Sequence, residues 1–128
     1  MKFLLDTQLG LWILLDHPKL KAKVHATLMA PENQFAFSVS SIWEIAIKRA
    51  LRRSDFLYDP RVIRRRLIDD GYEEMPVLGR HVVEVDSLPP IHKDPFDRIL
   101  IAQAMVEGIT LLTADPVIAR YPGSIRKV

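Results

Sequence analysis

The sequence predicts an α/β fold in which a parallel sheet carries helices on both of its faces. Short apolar runs of strand length alternate along the chain with longer segments of helical spacing, which is typical of parallel strands joined by crossover helices. The first run, Lys2–Leu5, has the composition of a strand buried in a core. The chain of 128 residues, 48% of them hydrophobic, is large enough to bury such a core in one domain.

The first half of the chain is predicted to contain two strands and three helices. The first helix ends at the His17-Pro18 step, because the residue before a proline disfavours helical backbone. The second helix has apolar residues at four-residue spacing, and Ser40 or Ser41 is the expected cap of the third. The predicted elements are a strand at Lys2–Leu5, helices at Thr7–Leu15 and Lys19–Met29, a strand at Phe35–Val39, and a helix that ends near Leu51.

Three Asp-Pro steps mark helix starts in the second half of the chain. An aspartate caps a helix and a proline fits its first turn, so each step predicts the beginning of a helix. The steps are Asp59-Pro60, Asp94-Pro95 and Asp115-Pro116. Gly71 and Gly108 are the expected ends of the first two helices. The other predicted elements are strands at Glu73–Val77, Ile109–Leu112 and Ser124–Val128, and a weak helix at Gly79–Val85.

The composition excludes several classes of site. The absence of cysteine excludes disulfide scaffolds, thiolate metal sites and a cysteine nucleophile, and it fits a reducing, cytoplasmic location. The longest apolar run, Leu9–Leu15, is far shorter than the roughly 20 residues that span a bilayer, so no membrane association is expected. No repeat or linker divides the sequence, and we therefore expect a single domain over residues 1–128.

Positive charge is concentrated in the middle of the chain. The net charge is only +2, yet a basic segment, Lys48–Arg66, carries eight basic residues and two acids, a local charge of +6. A basic stripe on an otherwise acidic protein suggests a polyanionic partner. The alternative is a helix face covered only by water. The basic residues of the segment are Lys48, Arg49, Arg52, Arg53, Arg61, Arg64, Arg65 and Arg66.

Four acidic residues follow predicted strands or open the helices after them. Ligands of parallel sheets bind outside the carboxyl ends of the strands, and Asp6, Glu44, Asp97 and Asp115 all fall at that edge. Carboxylates within about 4–6 Å raise one another's pKa unless a cation lies among them. Oxygen ligands without cysteine or paired histidine select a hard cation, so the cluster predicts a site for Mg²⁺ or Mn²⁺.

Each of these acids also has a purely structural explanation. Asp6 and Asp115 are at positions that cap helices. Ser41 and Glu44 have the spacing of a capping box. Asp97 lies in a first helical turn, where an acid favours the helix dipole. The joint placement of the four acids, rather than any one of them, is what favours a functional site.

The histidines and tryptophans are predicted to have structural roles. The four histidines lack the spacing of a metal site and are expected at the surface or at helix caps. Trp12 and Trp43 lie in apolar helical segments, which favours core or dimer packing over base stacking. The apolar surface around Trp12 exceeds what one short helix needs, so a dimer or partner contact there is an alternative.

Four segments, in order and spacing, resemble the PIN-domain ribonucleases, specifically the VapC-like toxins of prokaryotic toxin–antitoxin pairs. The most specific is His92–Ala104, with the sequence HKDPFDRILIAQA, and the others are Phe3–Thr7, Ser40–Lys48 and Leu111–Pro116. The resemblance extends over almost the whole chain. It implies a three-layer α/β/α fold with a central parallel sheet, RNA cleavage dependent on Mg²⁺ or Mn²⁺, inhibition by a cognate VapB-like antitoxin, and a homodimer.

The resemblance also assigns the residues of the site. The catalytic acids and metal ligands that it implies are Asp6, Glu44, Asp97 and Asp115. Asp94 is then the cap beside Asp97, and Thr7 and Thr113 carry hydroxyls that position water or the ligands. Gln8 stands where close relatives often have histidine, which alters substrate contact rather than the acids. The basic residues expected to contact RNA are Lys48, Arg49, Arg52, Arg53 and Arg98, the last with a structural carboxylate as its alternative partner.

Two other functions compete with a ribonuclease at this point. A non-catalytic PIN-like module would bind RNA or a protein and use the acids for folding or docking, although the presence of all four acids argues against a decayed site. A phosphatase or nucleotide hydrolase would also use an α/β sheet. The sequence has neither a glycine-rich phosphate loop nor an Asp-x-Asp nucleophile motif, which argues against that class.

Overall fold

A five-stranded parallel sheet runs through the centre of the protein. The computed structural model describes residues 1–51 and 58–128. The strands in these ranges are β1 (Lys2–Leu5), β2 (Gln34–Ser38), β3 (Glu73–Met75), β4 (Thr110–Thr113) and β5 (Ile125–Lys127). They are hydrogen-bonded in the order β3-β2-β1-β4-β5, and each neighbouring pair is parallel. The predicted parallel sheet is therefore confirmed.

Helices pack on both faces of the sheet and confirm the three-layer α/β/α fold. Within the described residues they are α1 (Thr7–Leu15), α2 (Ala22–Met29), α3 (Val39–Ala50), α4 (Pro60–Asp69), α5 (Gly79–Glu84) and α6 (Pro95–Glu107). Short 3₁₀ turns lie at Val85–Ser87 and Ile118–Arg120. None of the helices in these parts of the chain is long and apolar enough to cross a membrane.

The side chains of each strand alternate between two apolar layers. Leu4 and Leu111 pack with Leu100 of α6 in one layer, whereas Leu5 packs with Leu9 of α1 in the other. A third apolar cluster joins α1, α3 and α4. Because successive residues of a strand point to opposite faces and both faces are covered, these strands are apolar throughout, which is why the sequence shows them as continuous runs.

The sheet changes its direction of growth at β1. β2 and β3 add to one side of β1, and β4 and β5 add to the other, so β1 and β4 flank the switch point. The register pairs Leu5 with Leu112, so both strands end at the same edge of the sheet. Ligands of open α/β sheets bind at this edge beside the switch point. Asp6, which directly follows β1, lies there.

The beginning of α3 differs from the sequence prediction. Its cap is Ser38, whose hydroxyl accepts a hydrogen bond from the backbone N–H of Ser40 at 3.0 Å. The predicted cap at Ser40 or Ser41 is wrong, and both of these residues are buried inside the first turn. The strand ends one residue early because a serine cap outweighs the strand preference of Val39 alone.

The other differences are small and have local causes. β3 ends before Pro76, which has no N–H to donate to a neighbouring strand. The helix expected after Asp115 is only the short 3₁₀ turn. Asp94 and Gly108 bound α6 as predicted. Gly108 has a φ of 67°, a conformation that glycine adopts without a Cβ clash.

Candidate active site

Four elements bring acidic side chains to one cleft at the carboxyl edge of the sheet. The cleft has a volume of about 290 Å³ and is lined by residues of α1, α3, α6 and the segment after β4. Asp6 comes from the end of β1, Glu44 from α3, Asp97 from α6, and Asp115 from the loop after β4. The structure thus brings together the four acids that the sequence singles out, and their catalytic role stays a prediction.

Asp6 is fixed through both of its carboxylate oxygens. Oδ1 accepts a hydrogen bond from the Leu9 N–H at 2.9 Å, which caps α1. Oδ2 accepts a hydrogen bond from the hydroxyl of Thr113. Burial raises the pKa of Asp6, and the charge of Asp115 raises it further, although the two hydrogen bonds oppose the shift. Thr113 therefore has the kind of contact with an acid that the resemblance implied.

Glu44 is buried in the wall of the cleft, and only one of its oxygens has a described partner. Oε2 lies 2.7 Å from Nζ of Lys48, one turn later on α3. Oε1 is buried and has no hydrogen-bond partner among the described residues. The predicted capping box of Ser41 and Glu44 is wrong, because the cap at Ser38 places Glu44 in the second turn of α3. Ser41 instead accepts a hydrogen bond from the hydroxyl of Thr7 at 2.8 Å, which joins α3 to α1.

Asp94 and Asp97 have different roles at the beginning of α6. Asp94 is the cap, since its Oδ1 accepts hydrogen bonds from the backbone N–H groups of Phe96 at 2.9 Å and Asp97 at 3.4 Å. Oδ2 of Asp97 lies 2.8 Å from Nε2 of His92. Burial, and then the charges of the neighbouring acids, raise the pKa of Asp97 to about 7, while His92 opposes the shift. Asp97 therefore lines the same cleft as the other acids, and the charges of Asp94, Glu44 and Asp6 act on it.

Asp115 closes the cleft on the side of β4. Its backbone N–H donates a hydrogen bond to Oγ1 of Thr113 at 3.0 Å. Its Oδ1 accepts a hydrogen bond from the Val117 N–H at 2.8 Å, which holds the turn after β4. The Thr113 hydroxyl thus accepts from the backbone of Asp115 and donates to the side chain of Asp6. One threonine fixes the positions of two of the acids.

The donor set of the cleft fits a hard divalent cation. The four acids offer oxygen ligands, which Mg²⁺ and Mn²⁺ prefer. Burial is the main cause of the raised pKa values of Asp6 and Asp97, and the charges of neighbouring acids raise both pKa values further, so the acids repel one another. A buried carboxylate oxygen without a partner, such as Oε1 of Glu44, costs on the order of 1–3 kcal/mol. A cation bound among these oxygens would offset the repulsion between the carboxylates and the cost of the unpartnered Glu44 oxygen.

The basic residues predicted to contact RNA are in different environments. Lys48 lines the cleft beside the acids. Arg49, its neighbour in sequence, forms an ion pair with Asp59 at 3.2 Å and does not line the cleft. Arg52 and Arg53 lie outside the described residues. The structure therefore places Lys48 in the cleft and Arg49 outside it, and the contacts of these basic residues with RNA stay predictions.

Arg98 is engaged in bonds within the protein. Its guanidinium donates hydrogen bonds to the carbonyl oxygens of Pro89 at 2.9 Å, Val85 at 3.2 Å and Leu88 at 3.5 Å. It also donates to the hydroxyl of Tyr121 at 3.2 Å. The structure gives Arg98 partners within the protein, and its predicted contact with RNA stays a prediction. The alternative of a carboxylate partner is wrong among the described residues, because its partners there are carbonyl and hydroxyl oxygens.

One histidine has the predicted capping role in a buried position, and another lies in the candidate site. His81 is buried with 1% of its surface exposed; its Nδ1 accepts a hydrogen bond from the Leu78 N–H at the start of α5. It is thus a cap, as predicted, but an internal one. His92 contacts Asp97 in the candidate site, which sequence reasoning missed because no ligand spacing links a loop residue to an acid in the next helix. The one available signal was the position of His92 inside the HKDPFD segment.

Trp43 is not part of the core. Its surface is 63% exposed, and it packs edge-to-face on Phe96 with a distance of 5.2 Å between ring centroids. Trp12 is half-buried and stacks on His17 at 5.2 Å. Core packing is therefore wrong for Trp43, and its alternative, packing in a dimer, stays a prediction.

The comparison with known families identifies the domain. The sequence pattern of the family described as "PIN domain" matches residues 3–124, which include all four acids of the cleft. The chain belongs to the PIN domain family. No curated protein matches its sequence significantly. The family assignment therefore rests on the match over nearly the whole PIN domain, together with the parallel sheet and the acidic cleft at its switch point.

Solved structures of toxin–antitoxin proteins share the fold of this PIN domain. A chain of VapBC2 from Rickettsia felis, solved bound to a promoter DNA fragment, superposes with a TM-score of 0.73 at 16% identity, covering 100% of this chain and 99% of that one. A chain of DNA-bound VapBC from Salmonella typhimurium superposes with a TM-score of 0.66 at 16% identity, covering 99% of this chain and 98% of that one. For VapBC-5 from Mycobacterium tuberculosis the TM-score is 0.64 at 15% identity, with 99% of this chain and 97% of that one covered. At these identities the similarity shows a common fold.

Proposed function

We propose that this PIN domain is a metal-dependent endoribonuclease toxin of the VapC type that a cognate VapB-like antitoxin neutralises. The observation that carries the proposal is the convergence of four carboxylates and one lysine in a single cleft at the switch point of the sheet. A cluster of negative charge beside a basic side chain is the arrangement that phosphodiester hydrolysis requires, since a cation and a lysine both neutralise phosphate.

The residues of the cleft would hold Mg²⁺ or Mn²⁺. Asp6 and Asp97 are the proposed direct ligands, and Glu44 and Asp115 complete the set directly or through water. When bound, such a cation lowers the pKa of water and neutralises charge on the phosphoryl group. The chain itself contributes position, because the two hydrogen bonds of Asp6 and the contact of Asp97 with His92 restrict these two carboxylates.

The other residues of the cleft have roles toward the substrate. Lys48 lies 2.7 Å from Glu44 and lines the cleft, and its ammonium group is the proposed contact of a substrate phosphate. Glu44 or Asp115 is the proposed acid that orients the attacking water or accepts its proton.

The proposed partners follow from the relatives. Proteins that share this fold over nearly their full length bear the names of toxin–antitoxin pairs, which supports a cognate antitoxin for this chain. A homodimer and a cytoplasmic location are part of the same proposal. RNA is the proposed substrate.

Cleavage of RNA by the purified protein tests the proposal. Candidate tRNAs and ribosomal RNA are incubated with the full chain in Mg²⁺, in Mn²⁺ and in EDTA, and Asp97→Asn prepared in parallel controls for contaminating nuclease. We expect fragments with Mg²⁺ or Mn²⁺, and none with EDTA or with the variant. Equal cleavage in EDTA, or no cleavage of any of these RNAs by the folded wild-type protein, would contradict the proposal and favour a non-catalytic module.

Lys48 and Arg49 form a matched pair for testing phosphate contact. Each substitution to glutamine removes one positive charge at adjacent positions of α3, but only Lys48 lines the cleft. Lys48→Gln is expected to weaken RNA binding and to lower the slope of log affinity against log salt by about 1. Arg49→Gln should change both quantities less, because Arg49 does not line the cleft. Fluorescence anisotropy with labelled RNA in EDTA measures both, and equal effects of the two changes would argue against a cleft-specific contact.

A further inference from the structure

We propose that His92 is a positioning residue for Asp97, and that a buried network around Tyr121 and Arg98 exists to hold His92 in place. This inference rests on the proposed cation site and deepens it, because it names a residue that prepares one ligand for the cation. His92 is not one of the four acids, and its loop precedes the helix that carries Asp97.

The side chains of His92 and Asp97 are in contact. Nε2 of His92 lies 2.8 Å from Oδ2 of Asp97. Asp97 has no cap to make, because Asp94 already caps α6 through its Oδ1. Without a partner, the Asp97 carboxylate would be free to rotate about its side-chain bonds. Contact of the imidazole with Oδ2 restricts that rotation and leaves Oδ1 for the cation.

Tyr121 holds the backbone of His92 in place. The hydroxyl of Tyr121 accepts a hydrogen bond from the His92 N–H at 2.6 Å and donates one to the His92 carbonyl oxygen at 3.2 Å. Tyr121 is 5% exposed and belongs to the apolar layer on the α6 side of the sheet. A buried phenol that binds both backbone groups of one loop residue fixes that residue more firmly than loop–solvent contact does.

Arg98 completes the network around His92. Arg98 directly follows Asp97 and donates to the same Tyr121 hydroxyl at 3.2 Å. It also binds the carbonyl oxygens of Val85, Leu88 and Pro89, which belong to the segment leading to His92. The segment before His92 is therefore tied to α6 through Arg98, while Tyr121 holds His92 itself. This gives Arg98 a structural role next to a proposed ligand.

The effect of His92 on the proposed site can be measured as a change in metal affinity. Residues that contact a metal ligand without contacting the metal typically account for 10- to 100-fold in metal affinity or activity. His92→Leu removes the contact and is expected to weaken Mn²⁺ binding about 10-fold or more. His92→Gln retains an N–H donor on a side chain of similar reach and is expected to recover most of that loss. Tyr121→Phe leaves the imidazole intact but releases the backbone, so we expect an intermediate loss.

Electron paramagnetic resonance of free and bound Mn²⁺ with the full chain measures these affinities without requiring catalysis. His25→Leu is the matched control, because His25 is also a histidine near an acid, 4.0 Å from Asp16, but lies outside the cleft. Thermal melts in EDTA identify any variant that fails to fold. We expect wild type and His25→Leu to bind equally, with Gln, Phe and Leu variants progressively weaker.

Each other outcome has a distinct meaning. If wild type binds Mn²⁺ and both His92→Leu and Tyr121→Phe bind it equally well, the positioning role is overturned while the cation site stands. A nitrogen coupling in the spin-echo spectrum of bound Mn²⁺ that disappears in His92→Gln would make His92 a direct ligand and would also overturn positioning, since His92, Asp94 and Asp97 offer ligand atoms within 4.8 Å of one another. If wild type binds no Mn²⁺, the proposed function itself fails.

Discussion

Replacing Asp97 by asparagine is expected to lower the rate of RNA cleavage by at least about 100-fold, because it removes an anionic ligand from the proposed cation site. The change is nearly isosteric, so the fold should persist. The affinity for the antitoxin should remain, since the substitution alters a single half-buried group inside the cleft. In cells the variant should no longer arrest growth when it is produced without antitoxin.

Asp94→Asn is the control for this experiment. It changes a carboxylate three residues earlier, at the cap of the same helix, and asparagine caps helices about as well as aspartate. Cleavage and stability should therefore stay close to wild type, as measured by initial rates on the same RNA and by thermal melts. Loss of activity in Asp94→Asn with little effect of Asp97→Asn would show that the two roles are exchanged. If neither Asp94→Asn nor Asp97→Asn lowered the rate of cleavage, the nuclease proposal would be contradicted.

Asp97→Asn is also expected to stabilise the metal-free protein, and more strongly at pH 8 than at pH 5. The pKa of Asp97 is raised from 3.8 to about 7, so the folded protein holds this proton over a pH range in which the unfolded chain has lost it. Its contribution to stability therefore falls as pH rises from about 4 to about 7 and stays low above that range. Asparagine does not titrate, so the variant avoids this loss.

The expected gain at pH 8 exceeds the gain at pH 5 by about 1–3 kcal/mol, since each pH unit within the range corresponds to at most about 1.4 kcal/mol. Chemical denaturation in EDTA at the two pH values measures the difference. Asp59→Asn is the control, because the bond to the Arg61 N–H and the nearby arginines lower the pKa of Asp59; this acid is ionised at both pH values, and its substitution should change stability equally at pH 5 and pH 8. A stability gain of Asp97→Asn that is equal at both pH values would contradict the clustering of the acids.

Much of the fold follows from local features of the sequence. The Asp-Pro steps predict the starts of α4 and α6 because the cap and the proline act within one turn. The apolar runs predict the strands because both faces of the sheet are covered. From these elements the rule for parallel sheets places Asp6 and Asp115 at one edge. The position of the cleft is thus a consequence of local signals and topology.

Other features depend on contacts between distant residues. Three serines stand at the beginning of α3, and the choice of Ser38 as the cap is accompanied by burial of Ser41 against Thr7, which lies 34 residues away. The role of Arg98 is determined by Tyr121, 23 residues further along the chain. Neither partner can be identified from spacing. For the same reason His92 was not predicted as a member of the site.

The exposure of Trp43 is a further case. A tryptophan in an apolar helical segment has the composition of a core residue, yet the face that α3 presents to the sheet carries Glu44 and Ile45 into buried positions instead. Which side of a helix is covered depends on its neighbours in space. The sequence pattern of α3 therefore predicts a helix correctly but not the environment of each side chain.

The most direct test of the cation site is anomalous diffraction from crystals of the full chain grown with Mn²⁺. We predict a manganese peak in the cleft, with carboxylate oxygens of Asp6 and Asp97 at coordination distances of about 2–2.5 Å and Glu44 and Asp115 bound directly or through water. The same crystals of Asp97→Asn should lose or weaken that peak. A wild-type structure at saturating Mn²⁺ with no anomalous peak among the four acids would contradict the account.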